Sequence, residues 1–130
     1  MSEGDAESPT TGLLICADLF FSSKVTGTAD ALGLKVDVIE NAKQLLAKLA
    51  ESPCRCVILD LSMPGLNPAE VMSALPNENR PAVIAFGSHV MTARLQEARD
   101  AGCDEEMPKS QFSGSLPEIL KRIFNKIELA

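Results

Sequence analysis

From Leu13 to Ile127 the chain alternates five times between a short strand-like run and a segment whose apolar residues recur at helical spacing. Few folds satisfy that order. LLICA (Leu13 to Ala17) precedes Phe21, Val25, Ala29 and Leu32 on one helical face, and Gly33 stops the pattern. KVDVI (Lys35 to Ile39) alternates as a half-exposed strand does. Asn41 then offers an N-cap to a helix whose face is Ala42, Leu45, Leu46 and Leu49. CRCVILD leads into a short helix from Pro68 to Leu75, where proline suits the first turn. After a loop at PNENRP, AVIAF (Ala82 to Phe86) makes a fourth strand, and Val90, Met91, Leu95, Ala98 and Ala101 mark a helix that ends at Gly102. CDEEM (Cys103 to Met107) is the least apolar of the strands. The last helix carries Leu116, Ile119, Leu120, Ile123, Phe124 and Ile127 on one face, with Lys121, Arg122 and Lys126 off it.

This alternation implies a parallel sheet covered by helices on both faces, because right-handed crossovers change side when the winding direction reverses. The expected fold class is α/β: a flavodoxin-like, doubly wound (βα)5 three-layer sandwich with sheet order 2-1-3-4-5. Its winding reverses between strands one and three, which opens a crevice at their carboxyl ends. Asp18 ends strand one and Asp60 ends strand three, so both belong at that crevice, and Lys109, just past strand five, reaches toward the same mouth. Asp60 is the odd residue of its segment. A dry, unpaired carboxylate after Cys56, Val57, Ile58 and Leu59 would cost several kcal/mol, so either the strand ends in a wet cleft or a cation waits there. Two carboxylates and a lysine make a site for a divalent cation and a phosphoryl group.

Composition removes other classes. A chain of 130 residues with 45% hydrophobic content is one domain with a real core, and a net charge of -6 without clustered Lys and Arg argues against nucleic acid as a partner. Glu3, Asp5 and Glu7 stand where a signal peptide would be basic, and no apolar run is long enough to cross a bilayer, so the expected location is cytoplasmic, with no membrane partner. Residues 1–12 are small, polar and acidic and read as a disordered tail ahead of a domain at 13–130. Cys16, Cys54, Cys56 and Cys103 include no CxxC pair, and the one histidine, His89, is far from most of them; buried reduced thiols are the better reading than a zinc site. His89 reads as a solvated loop side chain.

Over nearly all of Leu13 to Ile127 the chain resembles the receiver domain of two-component response regulators. VILDLSMPGLNP is similar to the family's phosphoacceptor segment, an aspartate ending strand three followed by Met-Pro-Gly, and AGCDEEMPKSQF is similar to the segment carrying its lysine. The resemblance implies that Asp60 is the nucleophile that takes a phosphoryl group from a kinase phosphohistidine. It implies further that Asp18 and Asp60 bind Mg²⁺ directly with the Ser62 carbonyl as a third ligand, and that Lys109 pairs with the phosphoryl oxygens. A histidine kinase or phosphotransfer protein is then one partner, and a protein target on the face of the fourth helix, fifth strand and fifth helix another.

The chain departs from the family pattern in four places. One acid of the usual adjacent pair after strand one is missing, since Ala17 precedes Asp18. Gly87 falls where the family has Ser or Thr, with Ser88 next along. Glu106 replaces the aromatic residue of strand five, and Ser110 follows the lysine where proline is common. The expectation is a stand-alone receiver-like domain, not an enzyme in its own right, with weak Mg²⁺ binding and an impaired phosphorylation switch, acting through protein contacts. The alternatives are a fully working receiver that shuttles phosphate and, less favoured, a flavodoxin-like cofactor binder. The latter lacks a Gly-rich phosphate loop after strand one, where Asp18, Leu19 and Phe20 stand.

Overall fold

A computed structural model describes residues 11–51 and 53–129. Strand β1 (Thr11–Ile15) leads to helix α1 (Leu19–Ala31), β2 (Lys35–Ile39) to α2 (Ala42–Glu51), β3 (Cys56–Asp60) to α3 (Pro68–Ala74), and β4 (Ala82–Gly87) to α4 (Thr92–Ala101). Strand β5 (Glu105–Pro108) is followed by a short helix α5 (Lys109–Gly114) and by α6 (Leu116–Leu129). The five strands form one parallel sheet of order β2-β1-β3-β4-β5, as the alternation implies.

Every residue of β1, β3 and β4 is buried, which only helices on both faces can achieve. On one face Val25 and Ala29 of α1 and Ile119, Leu120 and Phe124 of α6 pack on Leu14, Ile58 and Ile84. On the other, Leu45 of α2, Val71 of α3 and Ala98 of α4 pack on Leu13, Val57, Leu59 and Val83. Sheet residues one apart serve opposite cores, the period-two rule of a pleated strand. Local signals act where expected. The Gln44 amide donates to Asn41 Oδ1 at 2.9 Å, and Pro68 opens α3 behind the cap made by Asn67.

The structure corrects several boundaries. Strand β1 starts at Thr11, so the domain begins before Leu13 and residues 11 and 12 do not belong to a tail; residues 1–10 lie outside the described residues. Gly12 has no side chain because there is no room for one: a Cβ there would lie 2.8 Å from Cys56 Sγ and 2.9 Å from Phe124 Cζ. A position that packs by lacking a side chain leaves no hydropathy signal. Strand β5 runs from Glu105 rather than Cys103, and its acids are met by Arg99 and Arg122. Leu46 and Val90 are 53% and 72% exposed, so neither belongs to a core face, and α4 starts only at Thr92. Helix α5 escapes periodicity because Phe112 is its one large apolar residue. The Phe112 ring stacks on Phe86 at 4.8 Å, and Phe21 closes the cluster 5.1 Å from Phe86. The place of Ile127 on the last helical face lies outside the described side chains.

The glycines make a paired test. Gly12→Ala should destabilise the domain by about 1–3 kcal/mol through overpacking. Gly27→Ala, on an exposed turn of α1 with nothing within 4 Å of the new Cβ, should stabilise it by about 0.5–1 kcal/mol. Urea unfolding midpoints of the two variants check both signs.

Candidate functional site

The crevice at the carboxyl ends of β1 and β3 holds Asp60, which is only 4% exposed. Its neighbours in the chain explain part of its accommodation. The Ser62 amide and hydroxyl both donate to Asp60 Oδ1, at 2.9 and 2.6 Å, so the chain turns back on the carboxylate two residues later. Cys16 supplies the rest: its Sγ lies 3.3 Å from Asp60 Oδ2. The sequence pointed to a wet cleft or a cation as ways to hold this charge, and the fold adds protein donors to them. Three neutral donors carry it, and hydrogen bonds to a charged group contribute about 1.5–3 kcal/mol each.

Asp18 and Lys109 meet at the same mouth. Asp18 is the N-cap of α1, its Oδ1 accepting from the Phe21 amide at 3.1 Å, and its Oδ2 lies 3.6 Å from Lys109 Nζ. That ammonium also sits 4.5 Å above the Phe21 ring. The Phe21 amide holds the Asp18 carboxyl below its ordinary value; partial desolvation opposes this, and the lysine adds to it. The structure therefore brings Asp60, Asp18, Ser62 and Lys109 to one end of the sheet, but Lys109 makes its ion pair with Asp18 rather than with Asp60. Burial pushes the Cys16 thiol up to about 11, with the acceptor Asp60 adding to the shift, so it stays protonated and donates at neutral pH. Leu19 and Phe20, at the start of α1, stand 79% and 91% exposed beside the mouth, and His89 is an exposed loop residue.

A family model described as the response regulator receiver domain matches residues 20–122. The chain belongs to that family. No curated protein matches it. Among solved structures it resembles a response regulator signal receiver domain from Bermanella marisrubri, at 22% identity and a TM-score of 0.76, over 90% of this chain and 99% of that one. A receiver domain protein from Methanospirillum hungatei is similar at 17% identity and a TM-score of 0.76, over 92% and 97% of the two chains. This is a receiver domain of two-component signalling, and its departures from the family pattern can be placed in space.

Gly87 ends β4 level with Pro108 of β5, and a Cβ on it would lie 3.2 Å from the Cβ of Leu61. A hydroxyl-bearing residue would fit here only if Leu61 gave way. Ser88 does not point its hydroxyl at Asp60; its Oγ accepts from the Val90 amide at 3.3 Å. Glu106 is held by Arg99 of α4 through two hydrogen bonds of 2.6 and 3.1 Å. Arg94, one helical turn and a half earlier, donates to the carbonyls of Leu61 and Leu66 at 3.1 and 2.7 Å. Helix α4 of this receiver is thus tied at one end to the loop after Asp60 and at the other to β5.

Receivers generally bind Mg²⁺ at their acidic site, which makes the donor set here a test. Among the described residues no three His, Cys, Asp or Glu side chains group so as to hold a metal ion. Both oxygens of Asp60 are already bonded, one oxygen of Asp18 caps a helix and the other faces a lysine. As arranged, these residues do not form a closed divalent-cation site. Sequence reasoning missed Cys16, Ser62 as a side-chain donor, and the two arginine ties. A serine two residues after an aspartate is a visible turn signal; the others needed the strand register and the helix placement.

The packing at Gly87 predicts that Gly87→Ser destabilises the receiver by about 1 kcal/mol through its close approach to the Leu61 Cβ, measured by urea unfolding. Asp18 predicts a pH effect. Its folded pKa is depressed, so its charge-dependent stabilisation is fully present above the ordinary value of 3.8 and is lost as pH falls through the folded value. Asp18→Asn keeps a capping acceptor without the charge. Its unfolding midpoint should fall below that of the wild type near neutral pH, and the gap should close in acid; a gap constant into acid would rule out the ionised carboxylate as its source.

Proposed function

We propose that this receiver signals through protein contacts, and that phosphorylation at Asp60 is coupled only weakly to its outward face. The observation that carries the proposal is the double tie on α4, through Arg94 to the loop after Asp60 and through Arg99 to Glu106. A ligand shifts a conformational equilibrium only by its differential affinity for two states, and an element already fastened at both ends offers a poor second state. Gly87 supports the same reading, because it has no hydroxyl to follow a phosphoryl group.

In the phosphotransfer step an Asp60 oxygen would form the P–O bond while the P–N bond of a partner's phosphohistidine breaks, the imidazole leaving with the bonding pair. The oxygen must first release Cys16 or Ser62. Lys109 would have to leave Asp18 to neutralise the phosphoryl oxygens. Mg²⁺, if it assists, would be held weakly by Asp60 and Asp18 with the Ser62 carbonyl. The partners are a histidine kinase or phosphotransfer protein at the mouth, where Leu19 and Phe20 are exposed, and a protein target on the face of α4, β5 and α6. Neither nucleic acid nor a membrane surface fits the acidic balance, and the domain is not an enzyme in its own right. No described helix is long and apolar enough to cross a membrane. A working phosphate shuttle is the second reading, favoured by the meeting of Asp60, Asp18 and Lys109 at one mouth.

Two measurements separate them. Incubation with Mg²⁺ and a small acyl phosphate should add a phosphoryl mass at Asp60 slowly or not at all. The affinity of a target captured from the native cell should stay within about threefold of wild type in Asp60→Ala and fall further in Glu106→Lys, which breaks the tie to Arg99. A loss of about tenfold or more in Asp60→Ala, seen only with kinase and ATP present, would establish the shuttle or switch instead.

A further inference from the structure

Between α4 and the loop that runs from Leu61 to Asn67 lies a groove of about 660 Å³. Ligand sites commonly measure about 300–1,000 Å³, so its size suits inserted side chains of a partner. Arg94 fastens its two walls together. The guanidinium donates across to the carbonyls of Leu61 and Leu66 at 3.1 and 2.7 Å, and to Glu97 on its own helix at 2.6 Å. A groove held in shape before binding lowers the ordering cost of the complex. Its apolar lining includes Met63 and Leu66 from the loop and Met91 and Ala101 from the helix side. Met63 and Met91 are partly exposed, and the flexible, polarizable methionine side chain adapts to apolar groups of varied shape.

Charge selects the occupant. Glu97 and Asp100 stand exposed along the helix wall, and Arg94 is the one Lys or Arg among the described residues that line the groove. Each of the three Arg94 nitrogens already donates, so it has little left for an anion. Asp100 accepts from the neutral amide of Gln96 at 2.8 Å and has no ion pair among the described residues. We propose that this groove is a second docking site of the receiver, for an amphipathic segment of a partner protein that inserts apolar side chains between Met63 and Met91 and sets Lys or Arg against Glu97 and Asp100. The site is separate from the face of α4, β5 and α6. Arg99, which reaches Glu106 of β5, lies two residues on from Glu97 and so about 200° around the helix. The net charge of -6 steers the same kind of partner, whereas an acidic segment would meet two carboxylates with no cation to answer it.

The test follows the ¹³C-labelled methionine methyls of the full chain by NMR at about 0.15 M salt, where remote charges are screened. The probes are a synthetic helical peptide with leucine on one face and lysine on the other, and its counterpart with glutamate for every lysine. The lysine peptide should shift Met63 and Met91 together and saturably and leave Met107, which is buried on the other face of the sheet, unmoved. The glutamate peptide should not. The double variant Glu97→Gln, Asp100→Asn should weaken the lysine peptide at least about threefold. The same charge change on exposed residues of α1 and α6, Asp30→Asn with Glu118→Gln, should weaken it by less than about 1.5-fold. Absent shifts at Met63 and Met91, an equal response to the glutamate peptide, or an equal loss in the two double variants overturns the proposal. Met63 and Met91 signals that move with protein concentration alone overturn it too, since the occupant is then a second copy of this chain. None of these outcomes touches the face of α4, β5 and α6, which stands or falls with Glu106→Lys.

Discussion

A central strand buried on both faces and ending in a carboxylate governs the rest of this structure. Strand β3 can be apolar through Leu59 only because helices cover both sides of it, and Asp60 can follow only where donors converge. The doubly wound order meets both demands. It puts β1 and β4 on either side of β3, and it leaves the carboxyl ends of β1 and β3 open to each other at the point where the helices change face. The Phe21 ring lies beneath Lys109 and is backed by the buried rings of Phe86 and Phe112.

Charge around the site is distributed unevenly. The carboxylate that chemistry singles out, Asp60, is held by neutral donors, while the cations near it are spent on other partners. Lys109 pairs with Asp18, Arg94 with two loop carbonyls, Arg99 with Glu106 and Arg122 with Glu105. The half-exposed pairs among these are worth little as stability. Their weight lies in geometry, since Arg94 joins α4 to the loop after Asp60 and Arg99 joins it to β5. Switching by small shifts depends on packed elements with two arrangements of similar energy, and each such tie favours one arrangement.

How much could be seen without coordinates depends on the range of each signal. Local patterns, read over a turn of helix or a few strand residues, were legible: the alternation of runs, Asn41 and Pro68 at helix starts, Gly33 and Gly102 at helix ends, and Asp60 as a charge out of place. Features without a local pattern were not. Thr11 and Gly12 look like the end of a polar tail, yet Gly12 lies between Cys56 and Phe124. Helix α5, with a single buried phenylalanine, has no period to detect.

The sequence by itself determined the α/β order, the doubly wound sheet, the family resemblance and the places of Asp18, Asp60 and Lys109 at the crevice, because these follow from hydrophobic periodicity and short motifs around Asp60 and Lys109. Tertiary structure alone decided that Cys16 joins them and who touches whom. Cys16 faces Asp60 because of a strand register, Lys109 faces Asp18 because α1 and α5 begin at the same end of the sheet, and Gly87 faces Leu61 because β3 lies beside β4. A contact across 44 residues, such as Cys16 to Asp60, is fixed by the register of two strands to within one residue. No local preference encodes that register; it is set by burying both faces of the sheet at once.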